Sequence, residues 1–346
     1  MNAVARPWMI YGAYGYTGEL IVDEAKRRSL EPILAGRNRD RLEDFAAQSG
    51  LDSRAFSLDE EFSGSLEGVA AVLHCAGPFS HTSRPMAEAC LRTGASYLDI
   101  TGEIGVFEAI MRRDAEARAA GISMIPGVGF DVVPTDCLAA QLKKQLPDAT
   151  HLDLAFSSRG GGISRGTLKT MIAGLGQGGA VRRDGKIARV PVAWDAREIQ
   201  YDSGPRLSMT IPWGDVSTAY HTTGIPNIRV YTATPPRTVR LLRRISPLLG
   251  LTNFKPFRWM LLRLADRRDG PDDAQRDKAY VDLWGEAWND EGVRRSMTRR
   301  VPEGYSLTAV SSVLAIQRVL DGTVRTGAST PALAFGSDFI DEVAPR

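Results

Sequence analysis

The sequence predicts an α/β protein, a doubly wound parallel sheet joined to an α+β domain built on a mostly antiparallel sheet. Three observations predict it. An apolar run, Trp8-Met9-Ile10-Tyr11, leads through a glycine turn into a segment with Leu20, Ile21, Val22 and Ala25 on a helical period. Short apolar runs then alternate with helical patterns as far as Pro126, the rhythm of a parallel sheet with helices on both faces. Beyond Pro134 the rhythm changes, and strand-like stretches separated by turns run from Lys186 to Ala233 and again near Tyr280 to Trp288.

Composition narrows the classes. A chain of 346 residues suits two domains. Hydrophobic residues at 43% and charged residues at 24% are ordinary for a globular protein. A formal net charge of +2 gives no reason to expect a polyanionic partner, and no nucleic-acid-binding motif is present. Cys75, Cys90 and Cys137 are too few and too scattered for a disulfide framework. Met1 to Pro7 lacks the apolar core of a signal peptide, and no apolar run reaches about 18 residues. A cytoplasmic location is the expectation. His74, His81, His151 and His221 show no metal-ligand spacing, so no metal is expected.

The turn is Gly12-Ala13-Tyr14-Gly15-Tyr16-Thr17-Gly18. Strand, glycine turn and helix form the context of a dinucleotide-binding fingerprint. Gly12 allows a sharp turn, Gly15 a close approach of backbone to pyrophosphate, and Gly18 tight packing of helix on sheet. The phosphates would sit at the helix N-terminus, where unpaired N–H groups favour anions. The spacing is G-x-x-G-x-x-G rather than the commoner G-x-G-x-x-G, and a plain glycine-rich turn is the alternative. Gly12, Tyr14, Gly15, Tyr16, Thr17 and Gly18 are assigned to the cofactor.

A second strand, Pro32 to Ala35, ends in Gly36-Arg37-Asn38-Arg39. An NAD-specific protein places an acid here, on the ribose 2′-hydroxyl. The acid is absent. Gly36 leaves room, and Arg37 and Arg39 offer guanidinium groups suited to a 2′-phosphate, so NADP is the expected cofactor. The alternative is a solvated charged loop. A helix over Arg39 to Gln48 leads to a third strand, Arg54 to Leu58, after which Asp59 could meet the adenine edge. A fourth strand ends at His74, and Cys75-Ala76-Gly77-Pro78 follows. Ligands of such sheets lie beyond the carboxyl ends of the strands, so this segment should pass the nicotinamide half. Cys75 reads as a packed residue, because no base adjoins it.

A helix from Thr82 to Thr93 is stopped by Gly94. A fifth strand, Tyr97 to Ile100, is followed by Thr101-Gly102-Glu103, then by a helix over Val106 to Ala120 and a sixth strand over Ile122 to Pro126. Further helices are expected at Thr135 to Leu146, before Leu175, at Ser306 to Leu320 and from Pro331 to Val343, with a strand at His151 to Phe156. The helix Ser306 to Leu320 is strongly apolar, with small polar positions at Thr308, Ser311 and Ser312 that suit close passage beside a cofactor cleft.

Two other features compete for attention. Gly162-Ile163-Ser164-Arg165-Gly166 matches the G-x-S-x-G nucleophile elbow and lies between a predicted strand and a helix. The dinucleotide turn at the head of the sheet argues against a hydrolase, and Ser164 is better explained as a helix cap. Pro235 to Gly270 carries nine arginines and lysines against two aspartates, interleaved with leucines and aromatics. Such a stretch either packs as surface helices with solvated charges, or contacts an anionic membrane or an acidic acyl carrier.

Cys75-Ala76-Gly77-Pro78-Phe79, Tyr97 to Glu103, and Gly129-Phe130-Asp131-Val132-Val133-Pro134 together resemble the saccharopine dehydrogenase-like oxidoreductases, in particular the branch with trans-acting enoyl reductases. The resemblance extends through Ser164-Arg165-Gly166-Thr167, Trp213 to His221 and Gly327 to Gly336. It implies an NADP-binding Rossmann domain at 1–130, an inserted substrate and dimerisation domain at 131–304, and a C-terminal segment, 305–346, returning to the first domain. It also implies hydride transfer to an unsaturated C=C substrate in an inter-domain cleft of an NADP-dependent enzyme that could form a homodimer. Candidate proton donors are Tyr220 and His221, expected on a loop, with Asp99 and Glu103 as rivals. Each has the alternative of a hydrogen-bonded structural residue. Two further readings stay open: chemistry on a C–N bond of an amino-acid-like substrate, and a non-catalytic NADP-binding protein attached to lipid.

Overall fold

A computed structural model describes residues 7–162, 164–246, 263 and 270–345. Most of the basic stretch 235–270 lies outside the described residues; its first helix, Pro236–Ile245, lies within them. The chain divides into two compact units, residues 1–133 with 305–336 and residues 134–304 with 337–346.

The first unit holds a seven-stranded sheet. Its strands are β1 (Trp8–Tyr11), β2 (Ile33–Gly36), β3 (Ser53–Ala55), β4 (Ala71–His74), β5 (Ser96–Asp99), β6 (Ser123–Ile125) and the short strand Gly327–Ala328. In space the order runs from Gly327–Ala328 through β6, β5, β4, β1 and β2 to β3, and every pairing is parallel. All four residues of β1, β2 and β4 are buried, as expected of strands covered by helices on both faces. On one face Met9, Val72, Tyr97 and Met124 join Phe79, Met86, Val106 and Ile110 in one apolar cluster. Five helices connect the strands: α1 (Tyr16–Arg27), α2 (Arg39–Ser49), α3 (Phe79–Thr93), α4 (Ile104–Met111) and α5 (Asp114–Ala119). The single helix expected over Val106 to Ala120 is two, because a fresh turn starts at Asp114, whose carboxylate accepts from Ala328 N at 2.9 Å and from Arg118.

The apolar C-terminal helix, Gly304–Leu320, belongs to the first unit from Tyr305 onward. Its small polar residues permit close contact with the loop after β6. Thr308 Oγ1 accepts from Phe130 N at 2.9 Å, and Ser311 Oγ donates to Val128 O at 2.6 Å. Gly129 is required there, since a β-carbon would stand 2.9 Å from Thr308 Cγ2.

The tail departs from expectation. Residues 337–346 were expected with the first domain but group with the second unit. Phe339, Ile340 and Val343 are buried there. The nearly buried Arg299 guanidinium holds the tail through Asp341 Oδ1 at 2.5 Å and Ile340 O at 3.3 Å, and a buried guanidinium needs such acceptors.

The second unit is built on a mixed, mostly antiparallel sheet. Its strands are β7 (His151–Arg159), β8 (Gly179–Arg183), β9 (Lys186–Val190), β10 (Ala196–Tyr201), β11 (Gly204–Thr210), β12 (Asn227–Ala233), β13 (Tyr280–Trp288) and β14 (Arg294–Pro302). The path is β10, β11, β12, β7, β13, β14, with the β8–β9 hairpin attached to β12; only β12 and β7 run parallel. The helix Val133–Gln145 crosses at Gly285, where a β-carbon would lie 2.8 Å from Leu142 Cδ1. On β7, Asp153 is buried and accepts from Arg229 at 2.7 and 2.8 Å and from Arg197 at 2.9 Å.

Candidate functional site

The glycine turn owes its shape to three close approaches. Gly12 adopts φ +89°, where side chains are strained, and a β-carbon would press on Ala76 at 3.0 Å. Gly15 N donates to Gly12 O at 3.1 Å. A β-carbon on Gly18 would overlap the carbonyl oxygen of Gly12 and stand 2.7 Å from that of Ala13, so this residue fixes how tightly α1 starts beneath the turn. Gly12, Tyr14, Gly15, Tyr16 and Thr17 are half-buried, leaving the turn reachable from solvent. Tyr16 meets Tyr305 edge to face, with ring centroids 5.0 Å apart.

The N-termini of α1, α2 and α3 carry different caps. Asn38 caps α2 by accepting from Arg41 N at 2.9 Å. The Glu103 carboxylate caps α3, accepting from Phe79 N at 2.7 Å and Ser80 N at 3.0 Å. The N-cap of α1 is Gly15, which has no side chain to offer. Its first-turn donors and dipole therefore fit a pyrophosphate.

The end of β2 adjoins the turn through Tyr14. The ring lies against Gly36 so closely that any β-carbon there would collide with it. Its hydroxyl accepts from Asn38 N at 2.9 Å. Arg37 is exposed and in no ion pair among the described residues, whereas Arg39 is engaged by Glu43 at 3.4 Å. Arg41, not among the sequence candidates, holds its guanidinium 5.0 Å from the centre of the Tyr14 ring. Its signal was its place in the first turn of α2, four residues after Arg37. Asp59 stays exposed past the end of β3 and accepts from Ser57 Oγ at 3.4 Å.

The third segment, Cys75 to Pro78, extends β4. Cys75 N donates to Tyr11 O at 2.8 Å, and Ala76 lies against Gly12. Burial pushes the Cys75 thiol well above its ordinary range, so it is no thiolate nucleophile. Beneath the segment, Thr82 Oγ1 donates to Ala76 O at 2.7 Å and so accepts from His74 Nε2 at 2.9 Å. This assigns the ring proton to Nε2 and leaves Nδ1 without a partner among the described residues. Burial holds His74 neutral, pushed down to about 3.

The structure gives each of the four candidate proton donors a defined setting. Asp99 is wholly buried. It accepts from Tyr97 Oη at 2.6 Å, Thr101 N at 3.0 Å and Gly127 N at 2.8 Å, tying the end of β5 to the loop after β6. Burial pushes its carboxyl up to about 6 against those donors. Glu103 is occupied as the cap of α3. Tyr220 and His221 lie on a helix, Asp215–Thr223, instead of the expected loop. The Arg182 guanidinium covers the Tyr220 ring at 4.1 Å. Ser164 Oγ accepts from Thr167 N at 3.2 Å, which makes it a cap.

Asp131 was not among the candidates, and the structure brings it forward. It is half-buried on the loop after β6, beside the carboxyl end of β5. Its carboxyl fills the space where a β-carbon of Gly102 would be, which explains the glycine of Thr101-Gly102-Glu103. Burial pushes it up to about 7. The motif was visible in the sequence, but the desolvation of its acid was not.

A parallel sheet in the order above, with a glycine turn leading from its first strand into a helix, defines a dinucleotide-binding protein of the Rossmann type. Residues 8–125 match the family model described as saccharopine dehydrogenase NADP binding domain. The human saccharopine dehydrogenase-like oxidoreductase is 27% identical over 212 residues, 53% of this chain and 49% of that protein. The trans-acting enoyl reductase of Mycobacterium leprae (strain TN) is 34% identical over 148 residues, 40% and 35% of the two chains. Thus the chain matches about half the length, or less, of these curated relatives. The apo saccharopine dehydrogenase (L-Glu forming) of Saccharomyces cerevisiae shares the fold, with a TM-score of 0.65 over 98% of this chain and 96% of that one, at 12% identity.

Proposed function

We propose that this protein is an NADP-dependent oxidoreductase that reduces a carbon–carbon double bond. One observation carries the reading. Three segments far apart in sequence, the glycine turn, the arginine-bearing start of α2 and Cys75 to Pro78, adjoin one another around the N-terminus of α1, whose N-cap is a glycine. Arg37 and Arg41 favour a 2′-phosphate, and no acid stands at the end of β2 to take its place. The bound nicotinamide supplies hydride. The chain supplies a proton: the Asp131 carboxyl stays protonated close to neutrality and delivers that proton to the substrate atom next to the one reduced. Tyr220 and His221 remain alternative candidates for the proton donor. The choice of a C=C substrate is supported by the enoyl reductase relative.

The test is oxidation of NADPH, followed by absorbance, with enoyl thioesters, enones and cyclic imines as separate substrates. The proposal expects turnover of an enoyl or enone substrate and its loss in Asp131→Asn with NADPH binding intact. Turnover of imines alone moves the chemistry to a C–N bond. NADPH binding without any turnover refutes the enzymatic reading.

A further inference from the structure

The helix Pro236–Ile245 has two chemically opposite faces. Val239 is 3% exposed and packs with Ala193 and Met209, and Leu242 is laid against the same cluster. Arg243 is tied inward, its Nε donating to Ala193 O at 2.8 Å. On the other side Arg237, Arg240, Leu241 and Arg244 follow the i, i+3, i+4, i+7 spacing of one helical stripe. All four are exposed, Leu241 at 56%, and together they line a shallow groove of about 220 Å³. The helix contains no acid, and none of these three arginines is in an ion pair among the described residues.

We infer that this stripe docks the protein on an anionic phospholipid surface, the arginines against headgroup phosphates and Leu241 among the acyl chains. The charges require an anionic partner, and forked guanidinium donors match phosphate oxygens. Leu241 decides which one. A leucine held between guanidinium groups is stabilised where an apolar layer lies directly beneath a layer of phosphates, and a bilayer has that order. An acidic protein surface offers the charge without the layer. The stripe shares no residue with the dinucleotide site, so either assignment can fail alone.

The experiment is co-sedimentation of the full chain with vesicles of phosphatidylcholine and phosphatidylserine in equal parts, and with phosphatidylcholine alone. Binding to the mixed vesicles at low salt, absent from the neutral ones and reversed by added salt, is expected. Each arginine should contribute roughly fivefold, so Arg237→Glu/Arg240→Glu/Arg244→Glu should weaken binding ~100-fold or more. Leu241→Ala should weaken it roughly three- to tenfold. Because these side chains are exposed, the variants should keep NADPH binding and thermal melting, which shows them folded. Failure to sediment at low salt, equal binding to neutral vesicles, or full binding by the triple variant overturns the inference. Capture of an acidic protein with no vesicle binding overturns it as well.

Discussion

Tyr16, in the first turn of α1, and Tyr305, at the start of the C-terminal helix, meet edge to face with centroids 5.0 Å apart and ring planes at 87°. The contact joins the cofactor turn to a segment that enters this unit only near the end of the chain. Such a pair contributes about 0.5–1.5 kcal/mol beyond its buried area. Tyr305→Ala should therefore weaken NADPH binding roughly three- to tenfold through Tyr16, and Tyr305→Phe should restore it. Fluorescence titration reads both. An unchanged affinity in the alanine variant would show that Tyr16 is held by other contacts.

Cofactor choice should rest on two arginines. Each charge-assisted bond to a phosphate is worth about 1.5–3 kcal/mol, so Arg37→Ala and Arg41→Ala should each cut the preference for NADPH over NADH about tenfold or more. Arg39→Ala should change it little, since Arg39 is held by Glu43. Equal affinities of the unaltered protein for the two cofactors would refute the assignment.

Glycines of the turn should fail in different ways. A β-carbon on Gly15 would lie 3.2 Å from Gly12 O, a contact that small adjustments relieve. Gly15→Val should fold and lose cofactor binding. Gly18→Ala forces overlap with backbone carbonyls and should destabilise the protein by about 1–3 kcal/mol, measured by urea denaturation.

Asp131 predicts a dependence on pH. Its folded pKa, about 7, lies above its ordinary value of 3.8. The folded protein therefore holds the extra proton between these values, and stability contributed by this group falls as pH rises through about 4–7. Asp131→Asn should flatten that fall and stabilise the protein at pH 8 by on the order of 2 kcal/mol. For the reaction, the unaltered enzyme should lose activity above about pH 7 as the acid deprotonates. A rate independent of pH from 6 to 9 would exclude Asp131 as the proton source.

Glu103 should behave as a cap. Glu103→Gln keeps the shape and removes the charge at the N-terminus of α3, so it should cost about 0.3–1 kcal/mol in stability. A large loss of turnover with unchanged stability would return Glu103 to the chemistry.

What was legible in the sequence follows the periodic signals. The apolar runs of β1, β2 and β4 and the glycine turn are local patterns, and each element stands within a few residues of its expected place. β14 was missed because Arg294-Arg295-Ser296-Met297-Thr298-Arg299-Arg300 carries four arginines. Its strand character comes from nine pairings with β13, and charge suits an edge strand. The helix Asp215–Thr223 reads as loop because all its residues except Ala219 are β-branched, polar or aromatic, and tertiary burial overrides that propensity. The desolvation of Asp131 and the capping role of Glu103 are invisible in the sequence for a shared reason. The environment of a carboxylate is set by residues distant in sequence, Gly102 for the first and Phe79 and Ser80 for the second.

The return of Gly327–Ala328 to the edge of β6 bears on how a ribosome makes this protein. β6 ends at Ile125, so its neighbour emerges about 200 residues later, roughly 10–40 s of translation. The second unit is also incomplete until residues 337–346 appear. Neither half can finish before nearly the whole chain is out, and through that interval the nascent polypeptide carries an open strand edge and unburied apolar surface.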